Sequence, residues 1–460
     1  MHEQGCSTMS AAQSGHILDR LAGLEKIVSL DCVRRVLQAC GKVNGRACIL
    51  THEVMMWVVL GMGLLTDLPI RQVFKHARRF RRGESTPGRS SLCEGRKRLG
   101  SEPVKLLHAE VVRPLATLET PGAFYKGMRL MGIDGTVFDV PDSEANQVFG
   151  RSSGGRGEAA FPQVRKVSLC ELGTHVETAF HFGGWGDSER SLVEALWDKI
   201  PDDALLIEDR GFFSYESWKA LHLRTKLLVR VTSWMVLKPI KRLRDGSYLA
   251  KIYPRSYDRD KDRNGIVVRV IRYKLDDPQR TGHDEEHVLM TNLLDPREFP
   301  ARELIPHYHH RWEIELVFDE QKTHQDPIRA EKPTHLRSET PEGVAQELYA
   351  LSLGHFVVRA LMHEAACEAG LDVDRLSFTG CFQILQCRLP ECETSSPASM
   401  NDWYQALLAE MGTENIGPRR NRINPRVIKR KMSKWPKARP EHRRRPPLAK
   451  AFEDTVVMIT

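Results

Sequence analysis

No Cys-x-x-Cys pair occurs among the ten cysteines of this 460-residue chain. The closest pair, Cys387 and Cys392, is followed by neither a second pair nor paired histidines. Zinc ribbons and dithiol redox motifs are therefore excluded, and scattered reduced thiols remain. Long apolar runs are also missing. The longest near the start, Val54 to Leu65, holds about twelve residues, against about 20 for a bilayer crossing. The opening MHEQGCSTMS has no basic stretch leading into an apolar one, as a secretory signal would. A cytoplasmic chain with no membrane partner is expected. There is no internal repeat, and aromatic residues make up only 7% of the chain.

What is present is basic charge, unevenly spread. The net charge is +8, but between Pro418 and Lys450 fourteen Lys or Arg stand against one acid, Glu441. That stretch is Pro-rich and poor in core formers, so it reads as a flexible tail attracted to polyanions, with DNA phosphate as the expected partner. His307, His309 and His310 lie close together but among aromatic and charged residues. They read as surface or packing histidines rather than as a metal site.

Residues 1–120 read as an all-helical domain, with apolar residues at helical spacing over Asp31–Cys40, His52–Leu65, Pro69–Arg78 and Ser90–Arg98. The basic run Lys75–Arg82 suits a DNA-binding helix. From 121 to 380 the pattern changes. Leu130–Val140 reads as a strand, two more strands meet in a hairpin at Gly173–Thr174, and a helix follows over Ser188–Ile200. Then come the apolar strand Ala204–Asp209, a helix over Ser214–Leu221 and a strand over Lys226–Val231. Three strands, helix, strand, helix, strand is the order of a ribonuclease H-like α/β core, a mixed sheet flanked by helices. Residues 232–300 read as an all-β insertion. Helices over Ala301–Gln325 and Pro341–Ala369 close the domain, with Gly370 placed to stop the second. Residues 381–460 form a C-terminal region that includes the basic tail at 418–450.

Three carboxylates stand where phosphodiester chemistry would need them. Such chemistry places two hard cations about 4 Å apart, and hard cations take oxygen ligands. Asp134 lies in a strand between Gly132 and Gly135, small residues that would let a bulky ligand approach the backbone. Asp209 ends the strand ALLI, at the carboxyl edge where α/β sheets build sites. Either residue alone could equally be a turn former or helix cap. The third, Glu315, comes with partners. On a helical wheel Tyr308, Arg311, Glu315 and Lys322 share a stripe about 60° wide, which offers a phenol, a guanidinium, a carboxylate and an ammonium. Glu313 and Glu320 fall off that stripe, and Asp319 is the geometric rival to Glu315.

The spacing Tyr-x2-Arg-x3-Glu-x6-Lys, present as Tyr308, Arg311, Glu315 and Lys322, resembles the signature of DDE transposases of the insertion element four family. GIDGT around Asp134 and EDRGFFS around Asp209 resemble that family's two earlier acidic motifs. Ile27–Phe80, Leu336–Leu351 and Ile423–Pro436 are similar to its flanking segments. The resemblance implies cut-and-paste transposition. Asp134, Asp209 and Glu315 would be catalytic and would hold two Mg²⁺ ions, with Mn²⁺ able to substitute. Tyr308, Arg311 and Lys322 would contact DNA phosphates, and Trp234, by position only, is a candidate to stack on a flipped base. Transposon ends with inverted repeats and a target DNA would be the partners, with a dimer assembled on DNA. A nuclease on the same fold without strand transfer, or a domesticated DNA-binding descendant, are the alternatives.

Overall fold

The computed structural model describes residues 21–43, 48–77, 85–154, 157–278, 280, 283, 285–326, 332–394, 397–417 and 450–459. The basic tail at 418–449 and Arg78–Arg82 of the basic run lie outside them. After a 3-10 turn over Ala22–Lys26 come five α-helices: α1 (Leu30–Ala39), α2 (His52–Leu64), α3 (Ile70–Ala77), α4 (Arg89–Leu99) and α5 (Glu102–Val111). Ser29 and Thr51 cap α1 and α2 by accepting from Cys32 N and Val54 N, as N-cap hydroxyls do. Strand β1 (Met128–Asp139) follows, then the hairpin β2 (Gln163–Glu171) and β3 (Val176–Gly184), α6 (Glu189–Glu194), β4 (Ala204–Glu208), α7 (Tyr215–Leu221) and β5 (Lys226–Val231). Next come β6 (Tyr248–Ile252), β7 (Ile266–Leu275), β8 (His287–Thr291), α8 (Ala301–His309), α9 (Glu313–Asp319), α10 (Pro341–Ala369), α11 (Phe378–Arg388), α12 (Pro397–Met411) and β9 (Val456–Met458).

The chain divides into two compact units. Unit 1 takes residues 1–123, 134–199 and 313–417. Its core is helical. Every residue of α2 from Val54 to Leu64 is buried, so α2 is apolar on all sides, as a helix inside a large core must be. It packs on α10, which is buried over most of its length. A Cβ on Gly63 would sit 1.9 Å from the Ala350 carbonyl oxygen, so only glycine allows this approach. Helix α10 starts at Thr340, whose hydroxyl accepts from Gly343 N, with Pro341 at the first turn, and ends at Gly370 in the left-handed conformation with φ 64°. The hairpin β2–β3 turns at 172–175 with His175 at φ 57°.

Unit 2 takes residues 124–133, 200–312 and 418–460. The first half of β1 and β4 pair in parallel, from Arg129 opposite Ala204 to Ile133 opposite Glu208. β4 pairs with β5 in parallel, and β5, β8, β7 and β6 follow as antiparallel neighbours. Every residue of β4 is buried, as expected of a parallel central strand. The segment read as an all-β insertion thus continues this sheet strand by strand, and it includes one short helix, Ser256–Asp260. The chain's last strand, β9, pairs with β7, Leu275 opposite Val456 and Tyr273 opposite Met458. The described end of the C-terminal region is therefore part of this sheet.

Candidate active site

Each candidate carboxylate stands on a rigid element or directly beside one. In unit 1, Asp134 lies within β1, half-buried, and its Oδ1 accepts from Gly135 N at 2.8 Å. The space beside Gly135 is taken by Glu189, whose Oε1 would be 2.7 Å from a Cβ there. That glycine accommodates a neighbouring carboxylate, which corrects the expectation that it opens the backbone to a ligand. Glu315 lies half-buried on α9. In unit 2, Asp209 immediately follows β4, half-buried beside the exposed Arg210 and Gly211. The preceding Glu208 is buried, and burial pushes its carboxyl up to about 7.

The helix expected over Ala301–Gln325 is not a uniform α-helix. Helix α8 ends at His309, a 3-10 turn covers His310–Trp312, α9 runs over Glu313–Asp319, and a π turn covers Glu320–His324. Pro306 inside α8 removes one backbone donor. A projection at a constant angle per residue does not survive these changes, so the single stripe is replaced by local contacts.

Those contacts differ from residue to residue. The Tyr308 hydroxyl donates to Asp209 Oδ1 at 3.3 Å, and the ring is buried. Burial pushes its phenol up to about 12, against the opposing charge of Arg311. Arg311 is itself buried, with its guanidinium 4.9 Å from the Trp312 ring centre. Lys322 Nζ donates to Thr136 Oγ1 and Val137 O, both at 2.6 Å, and lies 4.6 Å from the Phe138 ring centre. Burial, with the Lys166 charge adding to it, pushes the ammonium down to about 8. Trp234 is 82% exposed, so the structure gives it no packing role. His309 bonds Tyr273 and His307 packs on Tyr125, in line with packing histidines.

Two buried polar clusters in unit 1 escaped the sequence reading. Glu320 pairs with Arg359 and with His355 at 2.9 Å. Gln321 Oε1 accepts from Lys166 Nζ at 3.0 Å, and its Nε2 donates to Glu177 at 3.1 Å. They fix the start of the π turn, directly ahead of Lys322. The signal in the sequence was slight: Lys166 and Glu177 lie on strands that also carry Val164, Val167, Leu169 and Val176. Charges in such places need partners.

Among the described residues no group of three His, Cys, Asp or Glu side chains is close enough to hold a metal ion. The donor chemistry of Asp134, Asp209 and Glu315 nonetheless suits a hard cation, since all three offer carboxylate oxygen and none offers sulfur. No described helix is long and apolar enough to cross a membrane.

Comparison with known proteins finds relatives over most of the chain. The model "Transposase DDE domain" matches residues 125–353, and "Insertion element 4 transposase N-terminal" matches residues 18–109. The transposase InsG for insertion sequence element IS4 of Escherichia coli K12 is 28% identical over 432 residues, covering 91% of this chain and 94% of that protein. The putative transposase InsZ of the same organism is 25% identical over 184 residues, covering 39% of this chain and 61% of its own length. Among solved structures, a piggyBac transposase synaptic complex with hairpin DNA is similar at a TM-score of 0.42 and 11% identity, covering 90% of this chain and 89% of that one. The chain belongs to the insertion element 4 family of DDE transposases. It is accordingly a DNA-binding, DNA-transposing enzyme with a ribonuclease H-like core, of a domain type that uses divalent metal ions.

Proposed function

We propose that this transposase cuts at the inverted-repeat ends of its element and joins them to target DNA, with Asp134, Asp209 and Glu315 as its catalytic carboxylates. The observation that carries this is the Tyr308 hydroxyl on Asp209. It couples the first residue of the signature to the second acidic motif, 99 positions earlier in the chain. Asp134, Asp209 and Glu315 would hold two Mg²⁺ ions, or Mn²⁺ in their place. When bound, such ions supply positive charge at the attacking and leaving oxygens. Tyr308 keeps Asp209 oriented. Lys322 and Arg311 hold phosphates near the cut, and the exposed Trp234 offers a face on which an unstacked base can rest.

In this reading residues 1–120 recognise the ends, 121–380 carry the chemistry with the insertion at 232–300, and the basic stretch at 418–450 adds phosphate contacts. The protein acts as a dimer assembled on DNA in the cytoplasm. The test uses full-length protein, an end-bearing duplex and a target plasmid. Asp134→Asn and Asp209→Asn should each abolish cleavage while end binding stays intact, and excess chelator should stop the wild type. Robust cleavage in chelator sinks the metal assignment. Cleavage without any joined product leaves a nuclease.

A further inference from the structure

The end of the chain reaches the site through a short set of contacts inside unit 2. Phe452 is 3% exposed, and its ring centre lies 4.5 Å from that of His309. On another side the same imidazole meets the Tyr273 hydroxyl, Nε2 to oxygen at 2.9 Å. Burial pushes His309 down to about 3, so it is neutral and packs as an aromatic. Tyr273 sits on β7 opposite Met458 of β9. His309 is thus held between Tyr273 of β7 and Phe452, and it directly follows Tyr308 on α8.

The segment that delivers Phe452 is itself well tied. Arg280 donates to the Lys450 carbonyl at 2.8 Å, and its guanidinium lies 5.4 Å from the Phe452 ring centre. The Thr455 hydroxyl donates to the Phe452 carbonyl at 2.7 Å. Asp276 N donates to Thr455 O at 2.8 Å, and Ile459 N donates to Arg272 O at 2.9 Å. Thr455 and Val456 are buried. By contrast, the Tyr308–Asp209 bond at 3.3 Å is long for a hydroxyl donor. Its survival depends on what stops α8 from turning.

We infer that Phe452 is a positioning residue for Tyr308 and, through it, for Asp209, with Lys450–Ile459 acting as a clasp on β7 and α8. The inference rests on the reading of Asp209 as a catalytic carboxylate. It also means that the basic stretch at 418–449 is followed by a structural anchor.

The experiment measures single-turnover cleavage of a labelled duplex bearing the element's own end, together with its Kd, for Phe452→Ala, Phe452→Leu, Tyr308→Phe, Phe452→Ala/Tyr308→Phe and Asp209→Asn. Phe452→Ala should slow cleavage at saturating DNA about tenfold, the scale of one charge-assisted hydrogen bond, with Kd within about twofold. Phe452→Leu should recover most of the rate. The double variant should be no slower than Tyr308→Phe alone, because residues that act through one contact are not additive. Multiplying effects, an unchanged rate in Phe452→Ala, or joint loss of rate and binding that Phe452→Leu does not rescue would each overturn the clasp. Asp209→Asn separates the two claims. If it still cleaves, the reading of the site falls and takes the clasp with it. If it is dead while Phe452→Ala cleaves normally, only the clasp falls.

Discussion

Lys322 and Thr136 are bonded side chain to side chain, Nζ to Oγ1 at 2.6 Å, which ties the last residue of the signature to β1 two positions beyond Asp134. A second bond, to the Val137 carbonyl, fixes the ammonium further. A cation held this way loses little freedom when it meets a phosphate, so its contribution to binding is not spent on ordering a long side chain.

Lys322→Met should therefore make the log–log dependence of end binding on salt shallower by about 0.9, the slope of one phosphate contact. Lys322→Arg should not restore it, because a planar fork does not fit where a compact ammonium bonds two oxygens. Thr136→Val should fall between wild type and Lys322→Met. Filter binding from low to moderate salt measures all three, and an unchanged slope in Lys322→Met removes this residue from the DNA-contacting set.

The four acids around the signature should behave differently. Glu315→Gln should stop cleavage. Asp319 pairs with His324 at 3.3 Å on the exposed surface, a contact of about 0–1 kcal/mol, so Asp319→Asn should stay active. Glu313 meets the buried His175 at 3.0 Å, and Glu313→Gln should cost a little stability and no activity. Glu320→Gln strips the charge facing buried Arg359 and should cost about 3–5 kcal/mol. Cleavage and thermal melting, run in parallel, distinguish these outcomes. An active Glu315→Gln beside a dead Asp319→Asn would show that the motif register is wrong.

Much of the fold was legible because local rules agreed with the tertiary structure. Thr340, Pro341 and Gly370 bound α10 as capping chemistry requires, and β5 is the strand read over Lys226–Val231. The breaks between Tyr308 and Lys322 were not legible, since a π turn is stabilised by what Glu320 and Gln321 find across the core. Arg359 and Glu177 are 39 and 144 positions away from those partners, too far for any helical wheel. Asp209 could be placed from its apolar strand, whereas its bond to Tyr308 needed the folded chain. The return of Val456–Met458 to the sheet was hidden behind a stretch whose composition pointed to a tail.

The buried pair Lys166–Glu177 gives unit 1 an acid limit. Burial alone would raise the Glu177 carboxyl, but the Lys166 charge and the bonds from Lys166, Ser168 and Ser352 outweigh it and hold the group at about 2, below its ordinary 4.5. A folded pKa below the unfolded one contributes stability above about pH 4.5 that is lost as pH falls toward 2. The size is on the order of 3 kcal/mol for a shift of this kind. Denaturant titrations from pH 6 to 2 should show that decline in the wild type, and a Lys166→Met/Glu177→Leu variant should show a smaller one. The same decline in both would place the acid sensitivity elsewhere.

The basic stretch calls for charge removal rather than truncation. Fourteen Lys or Arg lie between Pro418 and Lys450, and each one on a phosphate releases counterions on binding. Deleting everything from 418 onward would also remove Phe452 and β9, so weaker binding or lost cleavage would then have two causes. Replacing Arg419, Arg420, Arg422, Arg443, Arg444 and Arg445 with Gln leaves Lys450–Ile459 intact. This variant should bind end-bearing and unrelated duplexes more weakly to a similar degree, with a salt slope shallower by about 0.9 for each phosphate no longer neutralised. Its cleavage rate at saturating DNA should match the wild type, because the proposed role of these six is phosphate binding and not the chemistry. Equal salt slopes for variant and wild type would make the stretch a solubilising appendage, and a lower rate at saturation would give it a part in the chemistry.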